Sequence, residues 1–181
     1  MCLIANGFSK PTGCDIEIAP GIEWDGIWIG NKSQMTFPAA TDKVIASISM
    51  DTGTTLYKLD CHRGSISFSD INQPSENSGD SMKQTVTARV IINSSDMLNK
   101  FSALRGADLA GVLRGRDDQF YIFGQREGLR VTQWEFNTGA KAGDDAGLVF
   151  TLEGEQQDPA DRFFDGSSVI TTEILLDSYL T

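Results

Sequence analysis

DDQFYIFGQREGLRVTQWEFNTGAKAGDD, residues 117–145, decides the fold. Two alternating runs, about 119–124 and 128–136, are expected to pair as strands around a Gly-bearing turn. The second continues through Trp134 and Phe136, and the chain then relaxes into a loop rich in Gly, Ala and Asp. The stretch holds strand-forming aromatics, polar alternate positions and solvated turns, but no reactive constellation. Segments of this kind build surfaces, and such surfaces commonly meet other subunits.

Immediately upstream, SSDMLNKFSALRG (94–106) is the one convincing helix signal. Ser94 or Ser95 can cap the free amides, Asp96 suits the positive end of the helix dipole, and Met97, Leu98, Phe101 and Leu104 form an apolar stripe. Gly106 ends it. Further upstream, RGSISFSDI (63–71) alternates Ser65, Ser67 and Ser69 with Ile66 and Phe68, the signature of a strand buried on one face. KQTVTARVIIN (83–93) alternates in the same way and is its expected partner. The intervening residues, from Ile71 to Met82, lack apolar periodicity and predict a long exposed loop.

Shorter runs extend the pattern. GIWIG (26–30), KVIASISM (43–50) and TTLYKLDC (54–61) precede it; 107–114, 147–153 and 168–176 complete it. Eight or nine strands with one helix predict a mainly β protein, an antiparallel β-sandwich or partly closed barrel with one short flanking α-helix. Residues 1–24 are broken by Gly and Pro and read as an N-terminal arm. Residues 25–181 read as a single β-sandwich domain. The arm's apolar residues, among them Leu3, Ile4 and Phe8, belong to no regular element and are expected to dock on the sandwich or on a neighbour.

Composition narrows the function. A chain of 181 residues can bury roughly 70% of its unfolded surface without staples. Fifteen Lys plus Arg against 25 Asp plus Glu give a net charge of -10, which disfavours general nucleic-acid binding because phosphate neutralisation needs excess cations. Cys2, Cys14 and Cys61 form no CxxC pair and read as free thiols. The first residues carry no signal-peptide pattern, and no apolar run approaches the roughly 18 residues of a membrane helix, so folding in a cytoplasm away from membranes is expected.

Candidate chemistry is sparse. His62 adjoins Cys61, but neighbours on an extended strand point to opposite faces, which argues against a dyad. Asp158, Asp161 and Asp165, with Asp144 and Asp145, fit no EF-hand spacing and read as a solvated acidic face. No glycine pattern cradles phosphate. Trp24, Trp28, Trp134 and Tyr121 could form a sugar-stacking platform, which makes a glycan-binding β-sandwich module the alternative reading. No catalytic residue, cofactor or metal is expected, and the chain reads as a non-enzyme.

Several features in order resemble phage tail-tube virion proteins of the Bacteroidetes-phage type. They are an NG...GC leader before IWIGN, the arm TLYKLDCHRGSISFSD, a helix before GVLRGRDDQFYIFGQREGLRV, and the segment TGAKAGDDAGLVFTLEGEQ. The resemblance implies a structural subunit of a tail tube, or of a tail or neck ring, that assembles in the host cytoplasm as a hexamer or dodecamer. Its partners would be other copies, other virion tail proteins, and DNA that passes through during ejection without specific binding. Inter-subunit contacts are expected at Ile71, Asn72, Gln73, Pro74, Ser75, Glu76 and Asn77, and at Leu3, Ile4 and Phe8. The acidic groups Asp144, Asp145, Glu153, Glu155, Asp158, Asp161 and Asp165 are expected to help keep the ring's field negative.

Overall fold

Six of the seven residues in Leu109–Gly115 are buried, and a strand without polar alternates must be covered on both faces. That strand lies inside a three-layer arrangement. The structure, a computed structural model, describes residues 21–74, 79–90, 104, 106–137, 147–164 and 166–180, with the side chains of 23–25 left aside. In chain order the strands are β1 (Ile22–Asn31), β2 (Met35–Thr36), β3 (Val44–Ile45), β4 (Ser49–Met50), β5 (Tyr57–Lys58) and β6 (Ser67–Gln73). They continue as β7 (Ser81–Val90), β8 (Leu109–Gly115), β9 (Phe120–Phe123), β10 (Arg130–Asn137), β11 (Gly147–Gln156) and β12 (Arg162–Phe163), followed by the helix α1 (Val169–Asp177).

One sheet has the order β3-β12-β9-β8-β1-β5, the second β10-β11-β7-β6, and β2 pairs with β4. All pairs are antiparallel except β12 with β3. Alternation along β1 sorts the core into two. Ile27 and Ile29 face the four-stranded sheet and pack with Val86, Ala88, Phe150 and Leu152. Trp28 between them faces the other way, among Met35, Ile45, Leu56 and Leu176. The six-stranded sheet is therefore the middle layer, with α1 and the β2–β4 pair on one side and the four-stranded sheet on the other. The mainly β antiparallel sandwich with a flanking helix is present, and it carries this extra layer.

Six local expectations are corrected. The segments 119–124 and 128–136 do not pair with each other: β9 belongs to the six-stranded sheet and β10 to the four-stranded one. Gly124 to Gly128 carries the chain between sheets, and Leu109 and Leu129 exchange both backbone hydrogen bonds at the crossing, at 2.8 and 2.7 Å. Gly124 has φ +65, and a Cβ there would stand 2.5 Å from the Leu109 carbonyl oxygen, so glycine is required. The run 168–176 is a helix. The Ser168 hydroxyl accepts from the Thr171 amide while Thr171 Oγ1 accepts from the Ser168 amide, a capping box that overrides the β-branched composition.

The run 43–50 is split into β3 and β4, and 54–61 contributes only β5 and a bridge from Cys61 to Val90. The expected loop from Ile71 to Met82 is shorter, because β6 runs to Gln73 and β7 starts at Ser81; Ile71, Asn72 and Gln73 stand opposite Lys83, Met82 and Ser81. Residues 22–24, assigned by sequence to the arm, belong to β1. The helix expected at 94–106 falls almost wholly outside the described residues.

Candidate assembly surface

Among the described residues the four-stranded sheet is covered on one face only. Cross-strand register assigns each side chain to a face, since directly opposed residues project the same way. Val86, Leu152 and Phe150 project toward the six-stranded sheet. The opposite face carries rows that cross all four strands: Ser67, Thr87, Thr151 and Gln133 form one, and Ser69, Thr85, Glu153 and Arg130 the next. On the two central strands short hydroxyls alternate with charged residues, and the Thr87 and Thr151 hydroxyls lie 3.4 Å apart.

Charge on this outer face is balanced. Lys83, Arg89 and Arg130 stand against Glu135, Glu153 and Glu155. Lys83 pairs with Glu153 at 3.3 Å, and Arg130 is drawn aside to Asp108, whose carboxyl it holds below its ordinary range chiefly by hydrogen bonding. The acidic groups expected to act together are thus separated. Glu153 and Glu155 lie on this face, Asp158 pairs with Arg126 at 3.0 Å, and Asp161 with Lys43 at 3.4 Å at the end of the sandwich. Asp144, Asp145 and Asp165 lie outside the described residues.

Among the described residues both outer strands of this sheet are open edges: β6 pairs only with β7 along its length, and β10 pairs only with β11. Their chemistry differs. Along β10, Trp134 and Phe136 stand opposite the buried Phe150 and Leu148, so both project on the core side, yet they remain 50% and 46% exposed. They overhang the core. The bulge between Val131 and Gln133 lies at the strand's start, leaving Gln133–Asn137 regular. Along β6, Ile71 is exposed on the outer face, and Asn72, Gln73 and Pro74 are exposed beside it. Of the other expected contact residues, Ser75, Glu76, Asn77, Leu3, Ile4 and Phe8 lie outside the described residues.

The remaining candidates resolve structurally. Burial, with the Asp60 charge second, pushes the Cys61 thiol up to about 12, so it stays protonated at neutral pH. Among the described residues no group of three or more His, Cys, Asp and Glu is placed to hold a metal ion. Trp28 is fully buried, with its indole Nε1 donating to Asp177 at 2.8 Å, and it is lost to any sugar platform. Tyr121 donates to Asp117 at 2.9 Å and packs against the Phe68 ring. Trp24 has no described side chain, which leaves Trp134 as the exposed aromatic of that set. Sequence reading noted Trp134 and Phe136 as strand aromatics, but alternation could not reveal that their covering layer stops short.

Comparisons with protein-family models, curated proteins and solved structures return no match to this chain.

Proposed function

We propose that this chain is a non-enzymatic structural subunit that assembles into closed homo-oligomeric rings by joining its four-stranded sheets edge to edge. One observation carries the reading: among the described residues opposite edges of the same sheet are open and chemically unlike. β6, β7, β11 and β10 alternate in direction, so β6 and β10 run oppositely. Laying β10 of one copy beside β6 of the next continues the antiparallel ladder unbroken. Two unlike edges favour a heterologous, head-to-tail interface, which closes into a ring when the rotation per copy allows. Closure also removes the aggregation hazard of an unpaired edge.

In such a ring the face without a covering layer lines the channel. A wall of serine, threonine and glutamine with balanced charge offers a duplex neither a net attraction nor an apolar surface to wet, so DNA would pass without specific binding. The tail-tube resemblance supplies the setting, a virion tail or neck ring. Size-exclusion chromatography with light scattering, combined with negative-stain imaging, tests the reading. Rings with a central opening are expected, and a chain that stays monomeric at every concentration contradicts it.

A further inference from the structure

A second feature, independent of the assembly surface, lies at one end of the sandwich. There the Gly124–Gly128 crossover, the β11–β12 connection and the segment before β3 enclose a cleft of about 250 Å³. Its floor is polar and buried: Gln84 is 1% exposed, Gln156 3% and Asp161 5%. Gln156 is consumed by the scaffold. Its Oε1 accepts from the Arg126 amide at 2.9 Å, and its Nε2 donates to the Gly128 and Glu155 carbonyls.

The other two floor residues are Gln84 and Asp161. Gln84 Oε1 accepts from the Gly124 amide at 3.0 Å, which fixes the orientation of the side-chain amide and sets Nε2 as its donor end. Asp161 Oδ1 is buried and receives no hydrogen bond; the Lys43 ammonium forms an ion pair with it at 3.4 Å without hydrogen-bond geometry. A buried carboxylate oxygen without a hydrogen-bond donor is costly, and native interiors rarely leave one so. The next strand adds another such atom, since Asp70, directly opposite Gln84, accepts from the Ala160 amide through Oδ2 while Oδ1 is buried without a partner.

We propose that this cleft binds one small neutral polyol, a molecule with the size and hydroxyl density of a monosaccharide. Adjacent hydroxyls donate to Asp161, and their oxygens accept from Gln84 Nε2 and Lys43 Nζ. Charge selects a neutral ligand. Lys43 balances Asp161 within the cleft, and Arg126 is held at the rim by Asp158 at 3.0 Å, so neither an anion nor a cation gains from entry. Hydroxyls suit the floor because each can both donate and accept, and a bond to an ionised acceptor is about twice as strong as a neutral one. Size selects one ring, since the volume is below the roughly 300–1,000 Å³ of drug-sized sites. Ala39 and Ala40 supply a short apolar wall for its C–H edge. No aromatic ring lines the cleft, so the affinity is millimolar rather than tighter.

Saturation-transfer difference NMR on the full chain tests this, because it observes the ligand and works for monomers and large rings alike. A panel of aldohexoses and inositols is titrated beside acetamide, arginine and inorganic phosphate. At least one polyol is expected to give saturable transfer and to exceed all three controls. Asp161→Asn should weaken it about tenfold. Lys43→Ala should also weaken it several-fold. Because it removes the ammonium beside the buried Asp161, the thermal melt of each variant is recorded and binding is compared at a temperature where both stay folded, which separates ligand contact from misfolding. The proposal is overturned if no polyol saturates, if a control binds more tightly than every polyol, or if both variants bind as the parent does.

Discussion

Trp134 on β10 stands directly opposite Phe150 on β11, and the two project to the same side of the sheet, yet Phe150 is 2% exposed and Trp134 50%. One strand step separates a finished core from an unfinished one. The same contrast recurs two residues along, where Phe136 faces the fully buried Leu148. Large aromatic side chains contribute most to interface energetics once they are desolvated, so in the proposed ring this overhang is where a second copy would gain most by docking.

Replacing both aromatics, Trp134→Ser with Phe136→Ser, should therefore separate folding from assembly. Half-exposed side chains on an edge contribute little to monomer stability, so the melting temperature should change by a few degrees at most. Association should weaken by about 2 kcal/mol or more, the scale of interface hot spots. Sedimentation velocity across a concentration series reads the second quantity, and equal loss of fold and assembly would count against the surface assigned here.

The helix layer is tied to the six-stranded sheet by the Arg114–Glu173 ion pair at 2.8 Å and by a cluster around Asp177. Asp177 at the end of α1 accepts from the buried Trp28 indole at 2.8 Å, while Lys58 pairs with the same carboxylate at 3.6 Å and lies over the Trp28 ring. Asp177→Ala leaves the indole N–H buried without its acceptor and should cost about 1–3 kcal/mol. The urea midpoint should fall with an unchanged slope. Asp177→Asn, which keeps an acceptor oxygen, should recover part of the loss.

Alkaline pH should act through Cys61. Burial raises its folded pKa from about 9 to about 12, so above pH 9 the unfolded chain releases a proton that the folded chain retains. Stability from this group is complete below the unfolded value. It is lost as pH rises from there through the folded value, at a slope of up to roughly 1.4 kcal/mol per pH unit. Because tyrosines and lysines titrate in the same range, the informative quantity is the difference between the parent and Cys61→Ala in denaturant melts from pH 8 to pH 11. The difference should narrow as pH rises.

Gly124→Ala should be among the most damaging single changes. It adds a positive-φ penalty and a contact of 2.5 Å with the Leu109 carbonyl at the point where the chain changes sheets. A loss of about 3 kcal/mol or more is expected from these two causes together, measured as the fall in thermal or urea stability of the purified variant.

Much of this architecture was legible in the residues because period-two alternation survives wherever one face meets solvent. The Ser65–Ser69 run and its partner through Thr85 and Thr87 became the β6–β7 hairpin. Two features were hidden for physical reasons. Alternation identifies a strand without naming its partner, so the β9 and β10 runs looked like a hairpin although Gly124 sends them to different sheets. Val169, Ile170, Thr171, Thr172 and Ile174 favour strands by composition, and the helix was visible only in the spacing of Ser168 to Thr171 and in Val169, Thr172 and Leu176 along one side. The candidate surface was harder still. Exposure at Trp134 depends on how far the opposing layer extends, and the cleft joins Gln84 to Asp161, far apart in sequence, with no local pattern to connect them.

Electron cryo-microscopy of the assembled chain tests the central claim most directly, by tracing the strands at the contact between copies. The account predicts a closed ring in which β10 of each copy hydrogen-bonds to β6 of the next, with Trp134 and Phe136 covered and the Thr85, Thr87 and Thr151 face lining the opening. A ring or dimer joined through the outward side of α1, with β6 and β10 both left bare, would contradict it.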